Sequence, residues 1–271
     1  MSFKDKVVFI TGSTRGIGRE IALKLAKDGA IIVVTGKTEK PHAKLPGTIH
    51  TVAQEINELG GIAEPFILDV RDEMRVREVV DTVGQKYGKI DALINNASAI
   101  SLTNTENTPM RKFDLMFGVN VRATFACSQA CIPYLEKADN PHILTLSPPL
   151  NMQDKWFKDH VAYTMAKYGM SMCTLGMAAE LKPKGIAVNS LWPQTTIATM
   201  AVKVHFPEAL WQASRKPEIM ADATYQILMQ DSQASTGQFF IDEAVLKAEG
   251  VTDFSKYAIN PEVAPFKDLF L

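Results

Sequence analysis

Cysteine is scarce in this chain: Cys127, Cys131 and Cys173 are the only three in 271 residues. A small, odd number of cysteines excludes a disulfide framework and favours a reducing compartment, so we expect the cytoplasm. Cys127 and Cys131 could share a helix face, either as a metal or redox pair or as small buried hydrophobic residues. Cysteine most often acts as a small hydrophobic residue, and we favour that interpretation.

Long apolar runs and an excess of one charge are also missing. No stretch approaches the ~18 consecutive apolar residues that span a membrane, and the first six residues lack the apolar run of a signal peptide. The formal net charge of −1 argues against nucleic-acid binding, which depends on excess lysine and arginine. The histidines are scattered without ligand spacing, so no metal site is predicted; they are His42, His50, His142, His160 and His205.

The chain does contain a regular alternation of short apolar runs and amphipathic stretches. This pattern predicts an α/β fold, a single Rossmann-type doubly wound domain with about seven parallel strands flanked by helices. The first run, Val7–Ile10, is apolar at every position, as expected of a strand covered on both faces. The predicted strands are 7–10, 31–34, 63–68, 90–95, 142–146, 186–191 and 238–241, and the predicted helices are 17–27, 48–59, 71–87, 111–135, 160–181 and 217–230.

No linker, internal repeat or low-complexity tract interrupts this pattern, so residues 1–271 are expected to form one domain. The polar loop 37–47 is longer than the roughly 2–6 residues usual between such elements. The pattern weakens after Pro193. Residues 195–271 are expected to form a substrate loop, with helical pieces up to Arg215, and a C-terminal extension.

A glycine-rich segment follows the first strand directly, and a helix begins within it. Glycines allow a sharp turn, a close approach of the backbone to a pyrophosphate and tight packing of the helix on the strand. The helix N-terminus then offers free N–H groups to the phosphate oxygens. Because the motif opens a βαβ unit, we predict that it binds a dinucleotide through Gly12, Ser13, Thr14, Arg15, Gly16, Ile17 and Gly18.

The residues after the second strand indicate which dinucleotide binds. NAD prefers an acidic residue there, but the chain has Gly36 and Lys37, and the first carboxylate is Glu39. Lys37 and Arg15 would attract a 2′-phosphate that a carboxylate would repel. Surface cations are often simply solvated, yet the missing acid and the two cations agree, and we predict NADP(H).

Tyr163 and Lys167 stand one helical turn apart in a predicted helix, so they share a face. A phenol with a pKa near 10 is a poor acid–base at neutral pH, and a nearby ammonium together with an oxidised nicotinamide would lower that pKa. Tyr163 could then exchange a proton with an alcohol or carbonyl as hydride moves. Tyr168 has no lysine four residues later and is interpreted as a packing residue.

The spacing Gly12-x-x-x-Gly16-x-Gly18 and the Tyr163–Lys167 pair resemble the signatures of the short-chain dehydrogenase/reductase family. The resemblance covers nearly the whole chain. It implies that Asp69 and Val70 contact the adenine, that Asn96 and Ala97 lie beside the cofactor, and that Tyr163 and Lys167 also touch it. It implies as well that Asn120 belongs to the proton relay of the family.

The chain departs from the family at two places. Pro148 stands where the family has its substrate-orienting serine, and proline has neither a hydroxyl nor an N–H to donate. Ser147 with an altered backbone, or Asn151, could take over that role, and Ser147 is the residue we assign. Trp192-Pro193-Gln194 replaces the usual Pro-Gly, but Thr196 or Ile197 could still bond the carboxamide, and we assign Thr196.

These departures, together with segments 37–49 and 97–101, resemble the hydroxysteroid dehydrogenase-like subgroup, whose longer members append a sterol-carrier-protein domain that this chain is too short to contain. The resemblance implies an NADP(H)-dependent oxidoreductase acting as a homodimer or homotetramer. Met200, Phe206 and Trp211 favour an apolar alcohol or carbonyl substrate, unless they only pack in the core or an interface. The alternative is an NADP(H)-binding protein with little turnover.

Overall fold

The computed structural model describes residues 2–41 and 47–271. One parallel sheet forms its centre, with strand order β3-β2-β1-β4-β5-β6-β7. In register, Val7 pairs with Ile31 of β2 and Val8 with Ala92 of β4. The strands are β1 Val7–Ile10, β2 Ile31–Gly36, β3 Ile62–Ile67, β4 Ala92–Asn95, β5 His142–Thr145, β6 Ala187–Trp192 and β7 Phe239–Ile241. The predicted seven-stranded Rossmann-type α/β fold is confirmed.

Helices cover both faces of this sheet. They are α1 Gly16–Ala26, α2 Ile49–Glu58, α3 Glu73–Tyr87, α4 Met110–Met116, α5 Ala123–Leu135, α6 Val161–Leu181, α7 Met200–His205, α8 Glu208–Gln212, α9 Glu218–Leu228 and α10 Asp242–Ala248. Several boundaries have local causes. The side chain of Thr48 accepts from the N–H of Thr51 at 3.0 Å to cap α2, and Asp72 caps α3 through the N–H of Arg75 at 3.1 Å.

The apolar core lies in two layers, because successive side chains of each strand point to opposite faces. Val8 and Ile10 of β1 pack with α1, α2, α9 and α10, whereas Val7 and Phe9 pack with α3, α5 and α6. The second layer contains Cys127 and Cys131, and burial raises the pKa of both thiols. These two cysteines are therefore small core residues, as the sequence favoured.

The structure differs from the sequence expectations in the helical regions. The predicted helix 111–135 is continuous but contains a π-helical segment, Phe117–Arg122, between α4 and α5. The helical pieces expected within 195–215 are present as α7 and α8, whereas α10 was not predicted. Loop 37–47 was expected to be long, but residues 42–46 lie outside the described residues.

Strands β1 and β4 are neighbours in the sheet. The chain continues from β1 toward the edge formed by β2 and β3, and from β4 toward the edge formed by β5, β6 and β7. The crevice at the carboxyl ends of such a strand pair is where open α/β sheets bind ligands. Among the described residues, no helix combines the length and apolarity needed to cross a bilayer. The same residues contain no cluster of three or more histidine, cysteine or acidic side chains suited to a metal ion.

Candidate active site

The glycine turn between β1 and α1 forms the floor of the candidate site. Gly12 and Gly16 have φ of +67° and +56°, which side chains disfavour. A Cβ on Gly18 would lie 2.5 Å from Asn96 Nδ2, so this glycine lets α1 pack against the end of β4. Asn96 Nδ2 in turn donates to the carbonyl oxygens of Thr11 at 2.8 Å and Gly12 at 2.9 Å. The turn is thereby tied to the neighbouring strand.

A cavity of about 610 Å³ opens above this turn. Its volume falls within the roughly 300–1,000 Å³ of small-molecule sites. Its walls come from the glycine turn and from the chain that follows β2, β3 and β4, with α7 on the remaining side. We call it the nucleotide cleft; it is lined by Gly12, Thr14, Arg15, Gly16, Ile17, Gly36, Lys37, Thr38, Leu68, Asp69, Val70, Asn96, Ala97, Ser98, Ala99, Leu115, Val119, Thr199, Met200, Ala201 and Val204.

Most of the residues predicted to bind the cofactor line this cleft: Gly12, Thr14, Arg15, Gly16, Ile17, Lys37, Asp69, Val70, Asn96 and Ala97. Ser13 lies outside it, since its hydroxyl donates to Ile10 O and accepts from Thr35 N. Gly18 packs beneath the turn. Thr196 also lies outside, with its hydroxyl 2.9 Å from that of Ser214 and its N–H donating to Phe266 O.

Thr199, at the start of α7, is a lining residue that the sequence reasoning did not select. Its Cγ2 would lie 3.4 Å from a Cβ on Gly16, so it closes over the glycine turn. Thr196 and Ile197 were considered for the contact with the carboxamide because they follow the segment Trp192-Pro193-Gln194 closely. The antiparallel bridge between Thr195 and Lys267 instead fixes the chain so that Thr199 reaches the cleft. No local sequence signal reveals this long-range bridge.

The end of the cleft beside β2 and β3 is positively charged. Arg15 donates to Thr38 Oγ1 at 2.9 Å and Gly47 O at 3.1 Å. Its Nε is buried and has no partner among the described residues, so it can still serve a ligand, and burial lowers the pKa of the guanidinium. Lys37 Nζ lies 4.0 Å from Asp69, whose pKa is lowered chiefly by its hydrogen bond from Arg71. These residues fit an anionic group.

Tyr163 and Lys167 lie one above the other in the first turns of α6, and both are buried. Lys167 Nζ donates to Leu146 O at 2.7 Å and stands 5.0 Å from the ring centre of Trp192. Burial lowers the pKa of Lys167 to about 7. We expected the pKa of Tyr163 to be lowered, but the surrounding residues raise it through burial and the charge of Asp268. The expected lowering of this pKa therefore needs a bound cation in addition to the Lys167 ammonium.

Residues 264–271, which we call the covering segment, lie over Tyr163. The ring centre of Phe270 is 6.3 Å from that of Tyr163 and 5.8 Å from that of Trp192. Trp192 Nε1 donates to Leu269 O at 2.8 Å, which attaches the segment to the end of β6. Tyr163 is therefore only 6% exposed. Tyr163 and Lys167, predicted to touch the cofactor, are not among the residues that line the cleft.

Asn120 and Ser147, the other two predicted catalytic residues, are both engaged by protein groups. Asn120 lies in the π-helical segment, where its amide exchanges two hydrogen bonds with the backbone of Ala99, at 2.7 and 3.0 Å. Ser147 Oγ is 2.9 Å from Ser190 Oγ, which is 2.8 Å from Thr174 Oγ1. Both side chains therefore fasten the site, and the structure does not direct the Ser147 hydroxyl toward a substrate.

Asn151, the alternative to Ser147, is also held locally. Its Oδ1 accepts from Gln153 N at 3.1 Å, and its carbonyl accepts from the hydroxyl of Tyr168 at 2.6 Å. Tyr168 is buried, which agrees with its interpretation as a packing residue. Pro148 contributes only its carbonyl, which accepts from Ser171 Oγ at 2.6 Å. The serine missing at position 148 is therefore not replaced from this loop.

Comparison with known families decides what this arrangement is. Residues 6–208 match the family model described as short chain dehydrogenase. The matched range contains the glycine turn, the end of β4 and the Tyr163–Lys167 pair. The chain belongs to the short-chain dehydrogenase family. Members of this oxidoreductase family bind nicotinamide cofactors and act on small molecules.

The relatives of this short-chain dehydrogenase place it in the hydroxysteroid dehydrogenase-like subgroup, as its motifs predicted. It is 55% identical to hydroxysteroid dehydrogenase-like protein 2 of Danio rerio over 97% of this chain and 63% of that protein. The human protein of the same name is 54% identical with the same coverage. The chain thus spans less than two thirds of these relatives. A short chain dehydrogenase structure from Mycobacterium thermoresistibile has a TM-score of 0.94 at 48% identity, covering 100% of this chain and 96% of that one.

Proposed function

We propose that this short-chain dehydrogenase transfers a hydride between NADP(H) and an apolar alcohol or carbonyl compound, with Tyr163 as general acid–base. The observation that carries the proposal is that Lys167 of the Tyr163–Lys167 pair bonds Leu146 O directly after β5, at the same carboxyl edge of the sheet along which the nucleotide cleft opens. That edge is where ligands meet catalytic groups in open α/β sheets. A phenol beside an ammonium can hold or release a proton at the substrate oxygen.

Two residues support NADP(H) over NAD(H). Arg15 and Lys37 both line the cleft, and no carboxylate stands at the end of β2. Asp69, which reaches the cleft from the end of β3, is neutralised by a bidentate contact with Arg71 at 2.6–3.2 Å. A 2′-phosphate in this region would therefore meet two cations and a paired carboxylate.

The protein residues have separate tasks in this proposal. A bound nicotinamide supplies the two-electron hydride chemistry. Tyr163 gives a proton to the carbonyl oxygen in reduction and removes it from the alcohol in oxidation, while the ammonium of Lys167 stabilises the phenolate form. Asn120 keeps the loop after β4 in place through Ala99. Thr199 closes the glycine turn from above.

The surroundings of Tyr163 support an apolar substrate. Its ring packs in a cluster with Trp192 and Phe270, and the partly buried Ile100 and Leu150 lie against that cluster. Met200 lines the adjacent cleft, whereas Phe206 and Trp211 do not. A strongly polar substrate would lose its hydration beside this cluster without adequate replacement. The names of the relatives point to steroids as one such class.

A second candidate function is NADP(H) binding with little turnover. It is favoured by Pro148, by the Ser147 hydroxyl that is paired with Ser190, and by the covering segment over Tyr163. Without a second donor to the substrate oxygen beside Tyr163, the transition state would lose about 2–4 kcal/mol, the scale of an oxyanion-hole donor.

One variant separates the two functions. We expect Tyr163→Phe to abolish turnover of medium-chain aldehydes and ketones with NADPH, because the proton donor is removed. NADPH affinity, measured by fluorescence titration, should stay within about threefold, since the phenol ring and the cleft are retained. Tyr168→Phe is the matched control and should remain active. Tight NADPH binding with no turnover by the wild-type protein on any compound of the panel would favour the second function.

A further inference from the structure

Phe270 of the covering segment lies among the rings of five other aromatic side chains. It is only 1% exposed. Its ring centre is 5.3–6.3 Å from those of its five neighbours, which is the range of ordinary aromatic contacts. We call these neighbours the aromatic cage: Trp156, His160, Tyr163, Tyr168 and Trp192. The cage is formed by α6, by the chain just before it and by the end of β6, so Phe270 enters it from a distant segment.

The backbone of Phe270 is strained where its ring enters the cage. Its φ is +74°, in the left-handed region that residues other than glycine disfavour. Such a conformation persists only where the surrounding structure enforces it, and here the buried ring does so. Residues 264–267 of the same segment are exposed, and the bond from Trp192 Nε1 to Leu269 O holds the chain next to the ring. A ligand that took the place of the ring would therefore also relieve this strain.

The ring of Phe270 covers the proposed proton donor. Tyr163 is 6% exposed, and it does not line the nucleotide cleft. Its ring lies 6.2 Å from that of His160, which precedes α6, and 6.3 Å from that of Phe270. An apolar substrate that approaches the phenol from the side of the covering segment must take the place of the Phe270 ring. The space that it would enter has the size of that ring and is walled by the cage.

The cage also contains a hydrogen-bond donor without a partner. Trp156 Nε1 is buried and donates to no group among the described residues. The corresponding groups of two other cage residues are engaged, since Trp192 Nε1 donates to Leu269 O at 2.8 Å and the hydroxyl of Tyr168 donates to Asn151 O at 2.6 Å. A buried donor that stays unpaired is unfavourable. A ligand that carries an oxygen beside its apolar ring would supply the missing acceptor.

We propose that Phe270 is a specificity-determining residue: its ring holds the place of the substrate, and the aromatic cage accepts a carbonyl compound, or its alcohol, that carries a six-membered apolar ring close to the oxygen. This inference rests on the proposed function, because it places that oxygen at Tyr163. The substrate competes with Phe270, so its apparent affinity is reduced by the fraction of molecules whose cage is occupied. A phenyl or cyclohexyl ring restores the contacts that Phe270 gives up, whereas a small aldehyde does not.

The test compares phenylacetaldehyde with propanal in NADPH-dependent reduction by the wild type and by Phe270→Ala. The KM for phenylacetaldehyde should fall at least about tenfold in Phe270→Ala, because the cage is then free for the phenyl ring, with kcat within about threefold. The KM for propanal should fall less, since propanal cannot fill the vacated space. Toluene, which has the ring but no oxygen, should inhibit Phe270→Ala in competition with phenylacetaldehyde and inhibit the wild type at least about tenfold more weakly.

Two further variants make the outcome specific. Phe266→Ala removes a 56% exposed ring from the same segment and should leave both KM values unchanged. Phe270→Leu keeps most of the buried volume and should show the same changes to a smaller degree. It carries the test if Phe270→Ala does not fold, with thermal melting and NADPH binding as measures of folding.

The inference and the proposed function fail in different ways. A folded Phe270→Ala protein with the wild-type KM for phenylacetaldehyde, or with equal changes for both aldehydes, overturns the inference while Tyr163→Phe is inactive. Toluene that does not compete with phenylacetaldehyde also overturns it. An active Tyr163→Phe overturns the proposed function itself.

Discussion

At the scale of single residues, Lys37 contributes an exposed cation to the end of the nucleotide cleft that we propose holds the adenosine. Its side chain is 63% exposed and free to turn toward a phosphate. We predict that Lys37→Asp weakens NADPH binding by about 10- to 100-fold, because a charge-assisted contact of about 1.5–3 kcal/mol is lost and a repulsion is added. NADH, which has no 2′-phosphate, should lose less than about threefold. Isothermal titration with both cofactors measures the difference.

Lys40→Asp is the matched control for this prediction, since it reverses an exposed charge on the same loop, outside the lining of the cleft. It should leave both affinities nearly unchanged. Equal losses of NADPH and NADH in Lys37→Asp would contradict the assignment of the 2′-phosphate to this lysine.

Residue types predicted the local arrangement of neighbouring side chains better than they predicted where hydroxyl groups point. The glycine turn, Lys37 and the Tyr163–Lys167 pair follow from spacing, because short segments within one strand–turn–helix unit or one helix fix their geometry. Ser147 and Thr196 were assigned to the substrate and the carboxamide, yet their hydroxyls pair with Ser190 and Ser214. Those partners come from distant segments of the chain, which local spacing cannot place.

At the scale of elements, the contact between α1 and the end of β4 sets the shape of the glycine turn. A Cβ at position 18 would lie 2.5 Å from Asn96 Nδ2 and 2.8 Å from Gly12 O. We predict that Gly18→Ala destabilises the protein by about 1–3 kcal/mol, the usual cost of overpacking. It should also weaken NADPH binding, because Asn96 holds the carbonyls of the turn. Urea unfolding and fluorescence titration measure the two effects.

Gly176→Ala serves as the control for this packing argument. Gly176 lies on the exposed face of α6, and a Cβ there meets nothing within 4 Å. Alanine should therefore raise stability by up to about 1 kcal/mol through its higher helix propensity and leave NADPH binding unchanged. If Gly18→Ala were as stable as this control and bound NADPH normally, the contact with Asn96 would not be what requires glycine.

Strands β1 and β2 were predicted well, because both are buried on both faces and contain continuous apolar runs. The π-helical segment, α10 and the covering segment were not foreseen. The π-helical segment continues a regular helix with one turn widened around Asn120, and residue types do not show such a change. In the covering segment, residues 264–267 are exposed, and Phe270 is the one residue that is deeply buried.

At the scale of the whole molecule, α5 and α6 present an apolar surface that the chain itself does not cover. Phe125, Met172 and Leu175 are 52%, 56% and 53% exposed. Met165 and Met172 stand seven residues apart on α6 and share one face. Contiguous exposed apolar groups on a folded protein commonly mark an interface. We predict that copies of this chain associate through these helices, in line with the dimer or tetramer expected from the family resemblance.

The double variant Met172→Glu/Leu175→Glu tests this association, because two carboxylates would be buried without partners in the interface. Sedimentation equilibrium should show a dissociation constant at least about tenfold higher than that of the wild type, corresponding to about 1.4 kcal/mol or more. Met74→Glu changes an even more exposed methionine, 75% exposed on α3, and should not affect association. A wild-type protein that sediments as a monomer at all concentrations would contradict the prediction. Because α6 also carries Tyr163 and Lys167, loss of association together with a changed KM would show that the contact between copies holds the catalytic helix in place.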